Sequence, residues 1–137
     1  MSTPELVTTF YQRIWNSGDV DRASELLTPD FSFRGSLGTE LQGLDAFKDY
    51  VRNVRAALAN YRCDVLACIT EGNQAFARIR FSGQHVGVFL GYRHTARFVQ
   101  WEGAALFDFD GQRISRLWVL GDMAGLEAEL KANEAPL

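Results

Sequence analysis

The 137-residue chain has few of the residues on which specialised chemistry or scaffolding depends. Two cysteines, Cys63 and Cys68, cannot make a disulfide framework. They lie five residues apart in one predicted strand. Period-2 alternation puts them on opposite faces, which argues against a bridge. With two histidines and scattered acids, no metal-ligand spacing is present and no metal is expected. No apolar stretch approaches the ~20 residues of a membrane span. Met1-Ser2-Thr3-Pro4-Glu5 has no basic segment leading into an apolar run, so no signal peptide is expected. Basic residues are outnumbered, 14 Lys and Arg to 17 Asp and Glu, which argues against nucleic acid as the main partner. There is no phosphate-loop word, no Gly-x-Gly-x-x-Gly after a strand and no Gly-x-Ser-x-Gly elbow, and no cofactor is expected. Linkers, repeats and low-complexity tracts are missing too. What remains is a small, reduced, cytoplasmic protein, with residues 1–137 as one domain.

Aromatic side chains are what the chain has in quantity: ten Phe, four Tyr and three Trp. Either they pack a tight small core or they wall an internal cavity for an apolar ligand. Thr3 is placed to cap a first helix with Pro4 at its first turn. Leu6, Val7, Phe10, Tyr11, Ile14 and Trp15 form its apolar stripe, and Gly18 ends it. A short helix capped by Asp19 ends at Pro29. Phe31-Ser32-Phe33 reads as a short strand, and a glycine-rich loop spans Gly35 to Gly43. A third helix carries Phe47, Tyr50, Val51, Val54 and Leu58. From Tyr61 the period changes to two, with turns at Gly72-Asn73 and Asp110-Gly111. A last helix over Met123–Ala132 presents Leu126 and Leu130. Helices first and consecutive strands after make an α+β plan. A sheet that long must curl, with the three N-terminal helices over its concave face and a pocket between.

This order resembles the nuclear-transport-factor-2-like cone, a strongly curved antiparallel sheet. Phe10-Tyr11-Gln12-Arg13-Ile14-Trp15-Asn16-Ser17-Gly18-Asp19 and Leu26-Leu27-Thr28-Pro29-Asp30-Phe31 are similar to that superfamily's opening. Gly83-Gln84-His85-Val86-Gly87, Trp101-Glu102-Gly103-Ala104-Ala105-Leu106-Phe107 and Trp118-Val119-Leu120-Gly121-Asp122-Met123 resemble its SnoaL-like polyketide cyclase branch. The resemblance implies an aldol cyclase of lyase or isomerase type, without a cofactor. It also implies a small hydrophobic ligand, aromatic or polycyclic, and a homodimer. Tyr92-Arg93-His94-Thr95-Ala96 departs from the turn common in that branch.

Asp122 matches the branch's acid/base aspartate, which removes a proton alpha to a carbonyl. Trp118, Leu120 and Asp122 share one strand face. If that face lines the cavity, burial suits the carboxylate to general acid/base work. Equally, Asp122 is well placed as the N-cap of the last helix. His85 is the second catalytic candidate, able to polarise a carbonyl or relay a proton. His94 is expected at the surface. The expected cavity draws on Tyr11, Trp15, Phe33, Phe47, Tyr50 and Trp118. On the strand Phe98–Phe109, either Gln100 and Glu102 or the opposite set with Trp101 faces it, so Trp101 and Glu102 both remain substrate-binding candidates.

Two other readings stand beside the cyclase. One is a non-catalytic binding or dimerisation module. The other is ketosteroid isomerase, whose site uses an aspartate base with a tyrosine and a protonated aspartate. Its three functional positions fall on Ile14, Gly35 and Ala105, residues that cannot do that chemistry.

Overall fold

The structure, a computed structural model, describes residues 1–134. Helix α1 (Thr3–Phe10) runs on as a π-helical turn over Tyr11–Asn16. A 3-10 turn (Val20–Arg22) leads into the single-turn α2 (Ala23–Leu26). Strands β1 (Leu27–Arg34) and β2 (Glu40–Gln42) follow, then α3 (Leu44–Ala57). Four long strands come next: β3 (Leu58–Glu71), β4 (Gln74–His85), β5 (Phe98–Asp110) and β6 (Arg113–Gly121). Helix α4 (Met123–Glu134) closes the described chain.

The cap of α1 lies one residue before the expected Thr3. Ser2 accepts from the Glu5 amide while the Glu5 carboxylate accepts from the Ser2 amide, a capping box with Thr3 and Pro4 inside the first turn. At the other end, the Arg55 guanidinium donates to the carbonyls of Trp15 and Asn16, satisfying the last orphan acceptors. Gly18 is required there. Its φ is +70°, and a Cβ would come within 2.6 Å of Arg55 Nε. Asn16 ties this helix end to β3, accepting from the Cys63 amide at 2.7 Å and donating to its carbonyl at 3.1 Å.

Several expected boundaries shift. The short second helix ends at Leu26, and Pro29, where it was expected to end, lies inside β1. The third helix ends at Ala57, and Leu58 turns directly into β3 with extended backbone (φ −124°), still fully buried. The expected glycine-rich loop contains β2, which pairs with β1. Asp19 lies before the short helical segment, as expected, but makes no side-chain cap there.

The strands form one curved, unclosed sheet in the order β2-β1-β6-β5-β4-β3. Both predicted turns are where expected, joining β3 to β4 and β5 to β6. Every pairing is antiparallel except β1 with β6, which run parallel because β6 returns alongside β1 after the whole meander. Odd-numbered residues of β4 and β5 face the helices, and their even-numbered neighbours face outward. A bulge between Val65 and Ala67 resets the phase of β3. Cys68 therefore pairs with inward Ala77 and shares a face with Cys63, which corrects the expectation of opposite faces; both thiols are free. The inward residues and the helical stripes make one core. No described helix is long and apolar enough to cross a membrane.

Candidate active site

The concave side of the sheet is walled by rings. Tyr11 and Trp15 descend from the first helix, Tyr50 and Val54 from α3, and Phe33 from β1. Tyr61, Phe81, Leu117 and Val119 rise from the sheet, and Ser36 and Leu37 close one side. These residues line a partly open cavity of about 20 Å³, room for roughly one water. Four of the six expected lining residues, Tyr11, Trp15, Phe33 and Tyr50, therefore border one space. That space is far smaller than the expected pocket for a bicyclic ligand.

Three phenols border it. Burial, reinforced by the thiols of Cys63 and Cys68, pushes Tyr11 well above the ordinary phenol range. Burial does the same to Tyr61 and raises Tyr50 to about 12. All three hydroxyls stay protonated near neutral pH, as hydrogen-bond donors in an apolar wall. The Tyr11 hydroxyl is buried with no hydrogen-bond partner among the described residues. Such a group costs ~1–3 kcal/mol, so Tyr11→Phe is expected to stabilise the ligand-free protein by that amount. A lowered thermal midpoint would show instead that the hydroxyl has a partner in solution.

Trp101 points inward with Phe81, the rings tilted 30° with centroids 5.3 Å apart, and its indole N–H reaches Ser36 Oγ at 3.4 Å. This decides the face of β5, and Glu102 lies on the other side. There it pairs with Arg78 at 2.8 Å, both side chains largely exposed, a contact of little energetic weight. Glu102 is thus corrected from cavity to outer face.

Phe47 is fully buried behind the cavity, edge-on to Phe33 at 4.9 Å, and packs the core rather than lining the space. Trp118 is corrected more sharply. The register of β5 with β6 shifts at Ser115, so that Ile114 pairs with Phe109 and Arg116 with Asp108. Leu117 and Val119 consequently face inward, while Trp118 and Leu120 face out, with the Arg34 guanidinium lying over the Trp118 ring.

Asp122 follows the same outward phase. It is exposed and sits beside Leu120 and Phe76 in an open hollow on the outer face. Its carboxylate accepts from the Gly125 amide at 2.9 Å, an N-cap of α4. Expecting it in an apolar cavity depended on the phase of β6, and the bulge reverses that phase. Asp122→Ala is expected to lower stability by ~1 kcal/mol, and Asp122→Asn by only a few tenths. Thermal unfolding of the two variants side by side checks this, and equal losses would remove the capping role.

His85 is fully buried on the inward face of β4. Its Nδ1 lies 3.5 Å from Thr95 Oγ1, which also accepts from the Arg97 amide. Its Nε2 has no hydrogen-bond partner among the described residues. Phe89, from the β4–β5 connection, covers the imidazole with ring centroids 6.2 Å apart. His94 is exposed, as expected. The sequence reading missed Ser36, Tyr61, Phe81 and Phe89. Tyr61 and Phe81 carry the inward alternation of their strands, whereas Ser36 and Phe89 sit in loops where no periodicity applies.

The profile of the SnoaL-like polyketide cyclases matches residues 5–130. No curated protein matches the chain. A structure from Acidithiobacillus ferrooxidans, described as a candidate polyketide cyclase, superposes with a TM-score of 0.85 at 20% identity, over 97% of this chain and 99% of that one. A SnoaL-like polyketide cyclase from Agrobacterium tumefaciens gives 0.79 at 20% identity, over 95% and 99%. A protein of ketosteroid-isomerase-like fold from Catenulispora acidiphila, solved with trimethylamine, gives 0.80 at 16%, over 98% and 100%. At such identities the superpositions speak for the fold, and the profile for the family. With nearly its whole length matched, the chain belongs to the SnoaL-like polyketide cyclase family.

Proposed function

We propose that the aromatic interior binds a small apolar compound bearing two carbonyls on one carbon and a third farther along, and that the protein catalyses its aldol-type ring closure without a cofactor. The observation that carries this reading is that, among the described residues, the buried Tyr11 Oη and His85 Nε2 lack hydrogen-bond partners on the concave side of the sheet. A buried polar group without a partner calls for an explanation, and a catalytic role is one that fits an imidazole and a phenol. A proton between two carbonyls is already acidic. If the His85 Nδ1–H donates to Thr95, the Nε2 lone pair is free to take that proton. The tyrosine hydroxyls donate to the enolate oxygen. The enolate carbon then attacks a third carbonyl, farther along the same molecule, forming one carbon–carbon bond while that carbonyl's π electrons move to its oxygen. The alkoxide recovers the proton from His85, so that the product is an isomer of the substrate. Asp122 has no part in this scheme. In deuterium oxide, the protein is expected to speed deuterium uptake at the carbon between the carbonyls of a cyclic 1,3-diketone. Binding without exchange would leave a non-catalytic binding module as the better reading.

The outer face supports a homodimer. Ile69, Phe76, Leu106 and Trp118 form one row across β3, β4, β5 and β6, all exposed, with Leu120 at 52% beside it. Four strands ~4.8 Å apart and ~34 Å long give about 650 Å², near the ~800 Å² per partner of a standard interface. Charges there are balanced, Arg78 against Glu102 and Arg116 opposite Asp108, so a second copy meets no net repulsion. Sedimentation is expected to show twice the chain mass for the native protein and the single mass for Leu106→Asp. A native protein that stays monomeric at high concentration would end this reading.

A further inference from the structure

The connection from His85 to Phe98 is a loop pinned at its base and free above it. The His85 amide donates to the Arg97 carbonyl and the Ala96 amide to the His85 carbonyl. The amides of Val86 and Gly87 both donate to the Ala57 carbonyl, and Gly87 lies so close to Ala57 that a Cβ would fall 3.1 Å from its Cα. Beyond Gly87, the only backbone bonds made by residues 88–94, among the described residues, join Phe89 and Tyr92 to each other. The tip of this small hairpin is Leu90-Gly91, with φ of +50° and +81°. A leucine there, and Ala96 at +58°, hold a backbone conformation that side-chain-bearing residues rarely adopt. Val88 is 69% exposed and Leu90 39%, yet Phe89 between them is 5% exposed. Its ring is the hairpin's buried anchor.

That ring occupies a particular place. It lies 6.0 Å from Trp101 at a 38° tilt and edge-on to His85. Trp101 links the two regions: it meets Phe89, and it also meets the cavity residues Tyr61, Phe81 and Ser36. Beneath Phe89 is His85, with Nε2 unpartnered among the described residues.

We propose that Phe89 is a built-in occupant of the ligand site: a planar aromatic ligand enters by displacing this ring from Trp101 and His85, the hairpin swinging outward about Gly87 and Ala96. This rests on the interior being the ligand site and adds where the ligand's ring sits. It accounts for a cavity too small for any bicyclic molecule, because the site is filled by the protein's own side chain. It also sets the ligand chemistry. One flat ring replaces the phenyl against the indole, and a hydroxyl on that ring donates to His85 Nε2.

The test uses 2-naphthol as the probe. Its affinity is measured by calorimetry for the native protein, Phe89→Ala and the control Val88→Ala. Phe89→Ala is expected to bind about tenfold more tightly than the native protein, since the competent state no longer has to be populated against the plug. Val88→Ala is expected to bind as the native protein does. Should Phe89→Ala fail to fold, the native protein decides alone. Nuclear Overhauser contacts between the Phe89 ring and the Trp101 indole are expected to disappear as naphthol saturates. Naphthol bound in the interior with those contacts intact, or bound equally by both proteins, overturns the plug and leaves the interior site standing. No naphthol binding by the native protein or by a folded Phe89→Ala overturns both.

Discussion

Phe47→Ala is expected to lower folding stability by ~3–5 kcal/mol, the range for emptying a fully buried phenylalanine position. Phe47 sits among Phe10, Trp15, Phe31 and Phe33 at centroid distances of 6.0, 5.9, 5.2 and 4.9 Å. No neighbour can fill the hole without leaving its own packing, because the surrounding rings come from three different elements. Interiors packed at crystal density relax only in part. Against a total stability of roughly 5–15 kcal/mol such a loss is large. In a chain of this length it moves the thermal midpoint down by on the order of 10–20 °C. Phe47→Leu keeps most of the volume and is expected to cost under ~1.5 kcal/mol. Calorimetric unfolding of both variants is the check. A loss below about 1 kcal/mol for the alanine variant would mean that the ring packs loosely and lines a site, the role its place on the apolar stripe first suggested.

Phe47 shows which parts of the molecule were legible in the sequence. Periodicity identifies an inward stripe, and Tyr11, Trp15, Phe33, Phe47 and Tyr50 all lie on inward stripes. It does not say which inward rings touch empty space and which fill the layer behind, since that depends on how three elements meet. The strand phase of β6 was hidden for a different reason. Leu117-Trp118-Val119-Leu120 is apolar on both faces, because the outer face also carries an apolar row. Alternation has nothing to alternate with there, and the bulge at Ser115 leaves no mark in composition. Both the Trp118 and Asp122 placements followed that phase. Between Trp101 and Glu102, by contrast, sequence narrowed the choice to two faces, and the pairing of Trp101 with inward Phe81 settles it. The helix–strand order survived every such local error. It rests on the change from period 3.6 to period 2, which a slip of one residue does not disturb.

His85→Gln is expected to reduce deuterium uptake at the carbon between two carbonyls by ~10²–10⁴-fold while leaving the fold intact. Glutamine is similar in length and can still hydrogen-bond toward Thr95, so the fully buried site keeps its volume and its polar contact. What it loses is a nitrogen that takes up and returns a proton. Thr95→Val is a milder perturbation. It removes the hydroxyl 3.5 Å from Nδ1 without touching Nε2, and its expected mark is an altered pH profile of the rate more than a loss of binding. Asp122→Asn completes the comparison. Its carboxylate lies on the outer face and caps α4, so the rate is expected to stay within about twofold of native, a change of under ~0.5 kcal/mol. The three rates separate the two acid/base candidates. Exchange held within a few-fold in His85→Gln and lost in Asp122→Asn would return the proton transfer to the carboxylate. That result would also require α4 to reorient when substrate binds, because its first turn now fixes Asp122 through the Gly125 amide on the side of the sheet away from the tyrosines.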